Sequence, residues 1–479
     1  MDKLIIENKG KRTKIVATIG PASDSREKLV QLLEAGLNVV RLNFSHGDYE
    51  SHGKIIDMIR ELSVEMKRPI GIIADLQGPR IRVGNTESFE VAKDEIIFVG
   101  DKKTTEEKEL IIDSDRVSAS LQVGERILIE DGLMKLEVME RNGEVVKAKV
   151  INGGTIKPRK GINVPDTKVP FGAMTEKDQR DLEFALSREV DFVALSFVSN
   201  GAEIEVVREK MKTALGRDKS LPQIISKVER KEAMKNIDEI VEASDVIMVA
   251  RGDLGIEMEE SKVVIYQKEL IAKCLRATKP VIVATQMLDS MINNPIPTRA
   301  EVSDVSNAVI DHTDAVMLSG ESANGKYPVE AVQTMKKIIT NVEESPFDDI
   351  NPGYLDEYLL ANEYVSLING AHELAKSSRA KAIIMYTESG KTARLMSHHR
   401  PTQLMIAATN NLKTYNQMAL IWGIRAYLFE DGENRENFID LLIEKTKNDG
   451  KLVSGDKIVV ILGKTTDDKS MSMVGIKEA

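Results

Sequence analysis

Residues 223–229 read Gln223-Ile224-Ile225-Ser226-Lys227-Val228-Glu229, a short β-branched run that closes on two charges. Side chains along a strand alternate between its two faces, so Lys227 and Glu229 point to the same side. Seven further runs of this kind lie along the chain, at residues 13–20, 37–45, 69–76, 191–197, 245–252, 280–285 and 315–320. Between most of them stand amphipathic segments of helical length, among them 26–34, 48–66 and 230–243. Such alternation predicts βα units and a parallel sheet. Eight repeats in one chain predict an α/β fold closed into a (β/α)8, or TIM, barrel rather than an open sheet.

The third repeat is interrupted. After Leu76 come about 90 residues rich in Val, Ile, Lys and Glu, with the turn dipeptides Asp131-Gly132 and Asn142-Gly143. Helical patterning resumes at Thr175-Glu176-Lys177-Asp178, which reads as an N-cap and first turn. Residues 78–170 are therefore expected to form a small, β-barrel-like domain inserted into a barrel made of residues 1–77 and 171–345. Beyond residue 346, after Ser-Pro and Asn-Pro signals, four more strand-like runs at 380–387, 403–409, 423–429 and 456–463 predict a C-terminal α/β domain over 346–479. Three domains agree with the length of 479 residues, at roughly 150 residues each.

Composition excludes several classes. A net charge of −10 disfavours a general nucleic-acid surface, although a local cluster of Arg and Lys still suits an anionic substrate. The single cysteine, Cys274, excludes an intrachain disulfide and reads as a buried core thiol. No Cys/His spacing suggests zinc. The charged start and the lack of a run approaching roughly 20 apolar residues predict a cytoplasmic protein with no membrane span.

In barrels of this kind the chemistry sits at the C-terminal ends of the strands. Those ends carry Arg41, Asn43 and Ser45 (second strand), Asp75 (third), Lys227 and Glu229 (fifth), Arg251 and Asp253 (sixth), Thr285 (seventh), and Ser319 and Glu321 (eighth). Glu229 and Asp253, on neighbouring strands, suit Mg²⁺, a hard cation that takes one or two carboxylates plus substrate oxygens. Lys227 and Arg41 supply positive charge for a phosphoryl group in transfer. The competing reading is a set of salt bridges closing the barrel rim.

Thr13-Lys14-Ile15-Val16-Ala17-Thr18-Ile19-Gly20-Pro21-Ala22-Ser23 resembles the opening barrel strand of the pyruvate kinase family. The segments Arg41–Gly47, Ile225–Glu229, Met248–Gly255, Ala284–Leu288 and Leu318–Ala323 resemble further family motifs, in family order and spacing. The resemblance implies transfer of the phosphoryl group of phosphoenolpyruvate to ADP, giving pyruvate and ATP. By position it makes Glu229 and Asp253 ligands of Mg²⁺ (or Mn²⁺), and Lys227 the group that stabilises the transferring phosphoryl and the developing enolate. Arg41 would bind the substrate phosphate, and Gly252 the substrate carboxylate through its N–H. Thr285 would stand on the proton-delivery side of the enolate.

For the nucleotide the resemblance implicates Asn43, Phe44, Ser45, His46, Arg82 and Lys160, with His46 also readable as an ordinary loop histidine. Because Lys160 lies in the insertion, closure of that domain would complete the site. Many relatives bind K⁺ through residues matching Asn43, Ser45, Asp75 and the carbonyl of Leu76. Here Asp75-Leu76-Gln77-Gly78-Pro79-Arg80 replaces the usual Asp-Thr-Lys-Gly-Pro-Glu. A guanidinium at Arg80 would supply the missing charge, so K⁺ is expected to be dispensable. The hinge segment 165–172 also departs from the family pattern. Thr387, Ser389, Gly390, Lys391 and Thr392 form a turn that would hold a phosphorylated effector, or simply an N-capped helix start. Relatives are usually homotetramers. Two other functions fit parts of the pattern: a Mg²⁺-dependent pyruvate-enolate lyase or aldolase on a similar barrel, and a catalytically inactive metabolite sensor.

Overall fold

In the computed structural model the described residues are 10–347 (except 106–107, 115–116, 144, 170 and 217–218), 355, 362–429, 438–462 and 472–479. Asn351-Pro352, Pro170 of the hinge segment, Gly463 at the end of the last strand-like run and the first nine residues lie outside them.

Each of the eight runs is a strand: β1 Lys14–Thr18, β2 Val39–Asn43, β3 Gly71–Asp75, β4 Phe192–Leu195, β5 Gln223–Val228, β6 Val246–Ala250, β7 Val281–Ala284 and β8 Ala315–Leu318. All pair in parallel with their sequence neighbours, and β8 closes on β1 with Lys14 opposite Ala315. The alternation expected of β5 decides where its charges go. Ile224 and Val228 pack outward beneath the helices, whereas Ile225 joins the inner core with Val16, Ile73, Phe192 and Met248. Lys227 shares the parity of Ile225 and so turns inward.

The helices cap as their sequences suggest. Tyr49–Glu65 starts on Asp48 and Glu176–Ser187 on Thr175, both with reciprocal capping boxes. The expected helix at 230–243 differs. It is broken at Asn236 into Lys231–Lys235 and Ile237–Ala243, where Asn236 Nδ2 donates to the Ser199 carbonyl at 2.8 Å.

Between β3 and β4 a curled seven-stranded sheet is inserted, with its own core of Ile97, Val99, Leu136, Val146 and Val150 among others. At one of its turns Glu130, Asp131 and Gly132 all adopt positive φ, joining Arg126–Ile129 to Met134–Asn142. Gly143 at φ 68° turns the next hairpin. The C-terminal sheet holds the four expected strands, β9 Ala382–Tyr386, β10 Leu404–Thr409, β11 Ile424–Leu428 and β12 Lys457–Leu462, in the order β11-β10-β9-β12. A fifth, β13 Met473–Glu478, pairs antiparallel on β12 and has no counterpart in the sequence reading. It is a mostly exposed edge strand whose Val474 packs on the core of the C-terminal domain.

The C-terminal sheet docks at the N-terminal mouth of the barrel. There Ala419 and Leu420 plug the inner core, Lys14 Nζ donates to the Ile424 carbonyl at 3.0 Å, and Gln417 Nε2 donates to the carbonyls of Asp191 and Leu221. The opposite mouth is left open under the inserted sheet. Cys274 is buried, and burial pushes its thiol far above the ordinary value. Among the described residues no helix is long and apolar enough to cross a membrane.

Candidate active site

At the C-terminal mouth, charges from three strands meet. Lys227 Nζ lies 2.9 Å from Glu229 Oε1 and 3.4 Å from Asp75 Oδ1, and Arg41 Nε donates to Asp75 Oδ2 at 2.6 Å. Arg41 also donates to Thr18 Oγ1 at 2.8 Å. The Asp75 and Glu229 side chains are 1% exposed. Carboxylates so far from water demand partners. Burial would raise Asp75, but Arg41 and Lys227 outweigh it and hold the carboxyl below its ordinary value. Burial alone would lower Lys227, yet Asp75 and Glu229 hold its ammonium above its ordinary value despite Arg41.

Glu229 behaves oppositely. Burial pushes it up, Lys227 pulls it down, the charge of Asp253 adds to the rise, and the carboxyl ends above its ordinary value. Asp253, in the helix Arg251–Glu257 that follows β6, makes a long contact to Arg80 at 3.7 Å. Asp253 lies near enough for its charge to raise Glu229, and two carboxylates set close together in this way suit a hard divalent cation. Among the described residues no third acidic, histidine or cysteine side chain completes a cluster with them.

The other strand ends divide into two groups. Thr285 sits at φ 68° and Gln286 at φ 54°, a strained pair of the kind found at functional sites. Thr285 Oγ1 accepts the Gly252 N–H at 2.8 Å and donates to the Ala284 carbonyl at 2.7 Å. Arg251 and Glu321, by contrast, turn into the wall. The Arg251 guanidinium binds Asp304 at 2.7 Å and the Thr285 carbonyl at 2.8 Å, while Glu321 accepts from the backbone N–H groups of Leu288 and Ser319. The Arg251–Asp304 pair is a rim bridge of the competing reading, whereas Glu321 is held by backbone N–H groups.

After β2, Asn43 Oδ1 accepts the Ser45 N–H at 3.1 Å. Phe44 is buried against His52, with ring centroids 4.6 Å apart; its N–H donates to the Asp75 carbonyl at 3.0 Å and its carbonyl accepts from Lys177 Nζ at 2.7 Å. His46 is exposed. From the inserted sheet, Arg82 donates to the Arg159 carbonyl at 3.1 Å and Lys160 pairs with Glu130 at 2.6 Å. Burial, then the charges of Arg80 and Arg159, shift the Arg82 guanidinium downward, so three arginines crowd one face. An open cleft separates the insertion from the barrel, lined by Arg80, Asp131, Asn163, Arg230, Asp253 and Glu257 among others. Asn163 Nδ2 to Glu257 Oε1 (3.1 Å), and Asp166 between Arg126 and Lys231, tie the two sides together.

The sequence reading assigned no residue at the end of β4, yet two sit in the site. Ser196 Oγ accepts from Lys227 Nζ at 2.8 Å and donates to the Leu76 carbonyl at 2.7 Å, and the Phe197 N–H donates to Glu229 Oε2 at 2.7 Å. Their only signal was position, directly after a buried run. In the C-terminal turn Thr387, Gly390 and Thr392 are buried, and Tyr364 holds the Thr392 hydroxyl at 2.7 Å. Ser389 and Lys391 face outward.

A closed parallel barrel whose open mouth sets a lysine and an arginine beside a carboxylate pair, beneath an inserted sheet bearing more basic groups, fits a phosphotransferase. Comparison with known proteins carries this further. The family model "Pyruvate kinase, barrel domain" matches residues 10–332, and "Pyruvate kinase, alpha/beta domain" matches residues 366–476. A pyruvate kinase of Bacillus licheniformis is 42% identical over 458 residues, covering 95% of this chain and 78% of that protein. "Pyruvate kinase 2" of Synechocystis sp. is 42% identical over 464 residues, covering 95% and 76%. The crystal structure of a pyruvate kinase from Cryptosporidium parvum superposes with a TM-score of 0.89 at 35% identity, over 98% of this chain and 96% of that one.

The chain belongs to the pyruvate kinase family. It is a phosphotransferase that moves the phosphoryl group of phosphoenolpyruvate to ADP, the last step of glycolysis, and the lyase alternative is not favoured. The family generally uses a divalent metal.

Proposed function

We propose that this reaction takes place at the C-terminal mouth, with Arg41 binding the substrate phosphate and Lys227 stabilising the phosphoryl group in flight and the enolate it leaves behind. The observation that carries the reading is the position of Lys227 Nζ, bonded to Glu229 at 2.9 Å while Arg41 holds Asp75 beside it. Phosphoryl transfer asks for positioning and fixed charge rather than covalent help from the protein. Glu229 and Asp253 would hold the divalent ion, Mg²⁺ with Mn²⁺ as substitute, which supplies charge neutralisation at the enolate oxygen, carboxylate and phosphate. Gly252 would meet the substrate carboxylate through its N–H, and Asp253 would contact the substrate through the ion it holds. The Gly252 N–H is shared with Thr285 Oγ1 before substrate arrives. Thr285 faces the enolate carbon that takes the proton.

ADP enters between the 43–46 turn (Asn43, Phe44, Ser45, His46) and the insertion, with Arg82 and Lys160 on its phosphates. The insertion (78–170) acts as lid on the barrel (1–77 and 171–345), and 346–479 form the third domain. Support for independence of monovalent cation comes from internal bonding. Asp75 is held by Arg41 and Lys227, Asn43 Oδ1 by Ser45, and the Leu76 carbonyl by Ser196, while the exposed Arg80 guanidinium reaches to 3.7 Å from Asp253. The enzyme works in the cytoplasm as the homotetramer usual among relatives, and Thr387, Ser389, Gly390, Lys391 and Thr392 form an effector turn.

Steady-state rates with phosphoenolpyruvate and ADP test the core of this. Turnover should require Mg²⁺ or Mn²⁺ and persist in buffer free of K⁺ and Na⁺. Activity restored only by KCl would overturn the Arg80 reading and leave the rest standing.

A further inference from the structure

Lys227 is held by more than its carboxylates. Its ammonium also donates to Ser196 Oγ at 2.8 Å, and that hydroxyl spends its own proton on the Leu76 carbonyl at 2.7 Å. The chain of bonds therefore runs from β5 through the end of β4 to the end of β3. Its direction is determined: an ammonium only donates, a carbonyl only accepts, and a serine hydroxyl between them must do both. The next residue, Phe197, uses its N–H to hold Glu229 Oε2 at 2.7 Å and sits at φ 60° to do so.

This corner is also braced from outside. Gly78, at φ 70°, lies so close that a Cβ there would come within 2.8 Å of Ser196 Cβ and 3.0 Å of its carbonyl oxygen, and its N–H donates to Asp178 Oδ1 at 3.0 Å. The serine hydroxyl thus has little room to swing away from Lys227.

We propose that Ser196 is a positioning residue for the phosphoryl transfer: anchored on the Leu76 carbonyl, its hydroxyl aims the Lys227 ammonium into the mouth. A flexible lysine stem otherwise has two carboxylates to choose between, Glu229 and Asp75, and the neutral oxygen fixes the third donor direction without adding charge. The inference rests on the assignment of Lys227 as the group that meets the phosphoryl.

The test uses Ser196→Ala, which deletes the oxygen, and Ser196→Cys, which keeps the side chain's shape with a much weaker acceptor. Hydrogen bonds to charged groups contribute enough that both variants should lose about 10–100-fold in kcat. KM for phosphoenolpyruvate should stay within about threefold, since binding and transition-state effects separate in these two constants. A kcat within about twofold of the parent in Ser196→Ala, or a loss that Ser196→Cys restores, would mean that the residue merely fills space and overturns the proposal. Should the alanine variant fail to fold, the cysteine variant is read by the same criteria. Lys227→Met is measured alongside. If that variant keeps its kcat, the assignment of Lys227 itself falls; if it collapses while both Ser196 variants match the parent, only the positioning role falls.

Discussion

Lys227 illustrates what one residue needs from its surroundings to be useful. A lysine taken out of water ordinarily loses its proton. Here Asp75 and Glu229 reverse that and keep the ammonium charged. Replacing it by methionine should reduce kcat by about 10²–10³-fold, the range for removing one fixed electrostatic contact to a transition state, as measured in a coupled assay for ATP formation. The cost to stability is expected to be real as well, because Asp75 and Glu229 would remain buried with one counterion fewer. The sequence made Lys227 and Glu229 legible through parity and charge. Ser196 and Phe197 escaped because a serine and a phenylalanine after a strand look like ordinary rim residues until the neighbouring strands are in place.

At the level of elements, two junctions carry predictions. The turn after β3 passes through Gly78 at φ 70° with almost no space beside it. Gly78→Ala should therefore destabilise the fold by about 1–3 kcal/mol through backbone strain and crowding, visible as a lower midpoint in urea unfolding, and should reduce kcat by disturbing Ser196. The second junction is the start of β1, where Lys14 is buried at the closed end of the barrel. Burial, with Arg425 and Arg68 nearby, lowers its ammonium to about 7. For a base depressed in the folded state, the penalty is fully present below about pH 7 and disappears above its unfolded value of roughly 10.5. Lys14→Met should accordingly raise Tm at pH 6–7, with the gain shrinking as pH climbs toward 10, in thermal melts across that range. A gain that does not depend on pH would contradict this. The element most clearly missed, β13, is an edge strand of mixed charge. It is held by backbone pairing to β12 and by Val474 against the domain core, too little buried apolar surface for a periodic signal.

Taken as a whole, the molecule is a barrel closed at one end by a docked sheet and roofed at the other by an inserted one. The insertion has its own core and reaches the barrel mainly through polar ties such as Asn163 to Glu257 and Arg126 to Asp166 to Lys231. The Glu257 end of these ties is buried whereas Asp166 is exposed, and exposed polar ties are individually weak. Replacing residues 78–170 with a short linker should leave the barrel's far-UV circular dichroism while abolishing phosphoryl transfer. Undiminished transfer would refute the role of Arg82, Lys160 and the roof together.

By itself the sequence determined the eight barrel strands, the interruption after the third, the four parallel strands that follow and the inward parity of Lys227 and Glu229, because these depend on periods of two and 3.6 and on local turn chemistry. Only the tertiary structure decided which charges meet. Arg41 and Asp75 are 34 positions apart, Lys227 and Ser196 are 31, and their meeting is set by the stagger of strands in a closed barrel. That stagger arises from packing the whole inner core at once, and no stretch of chain short enough to show a pattern contains it.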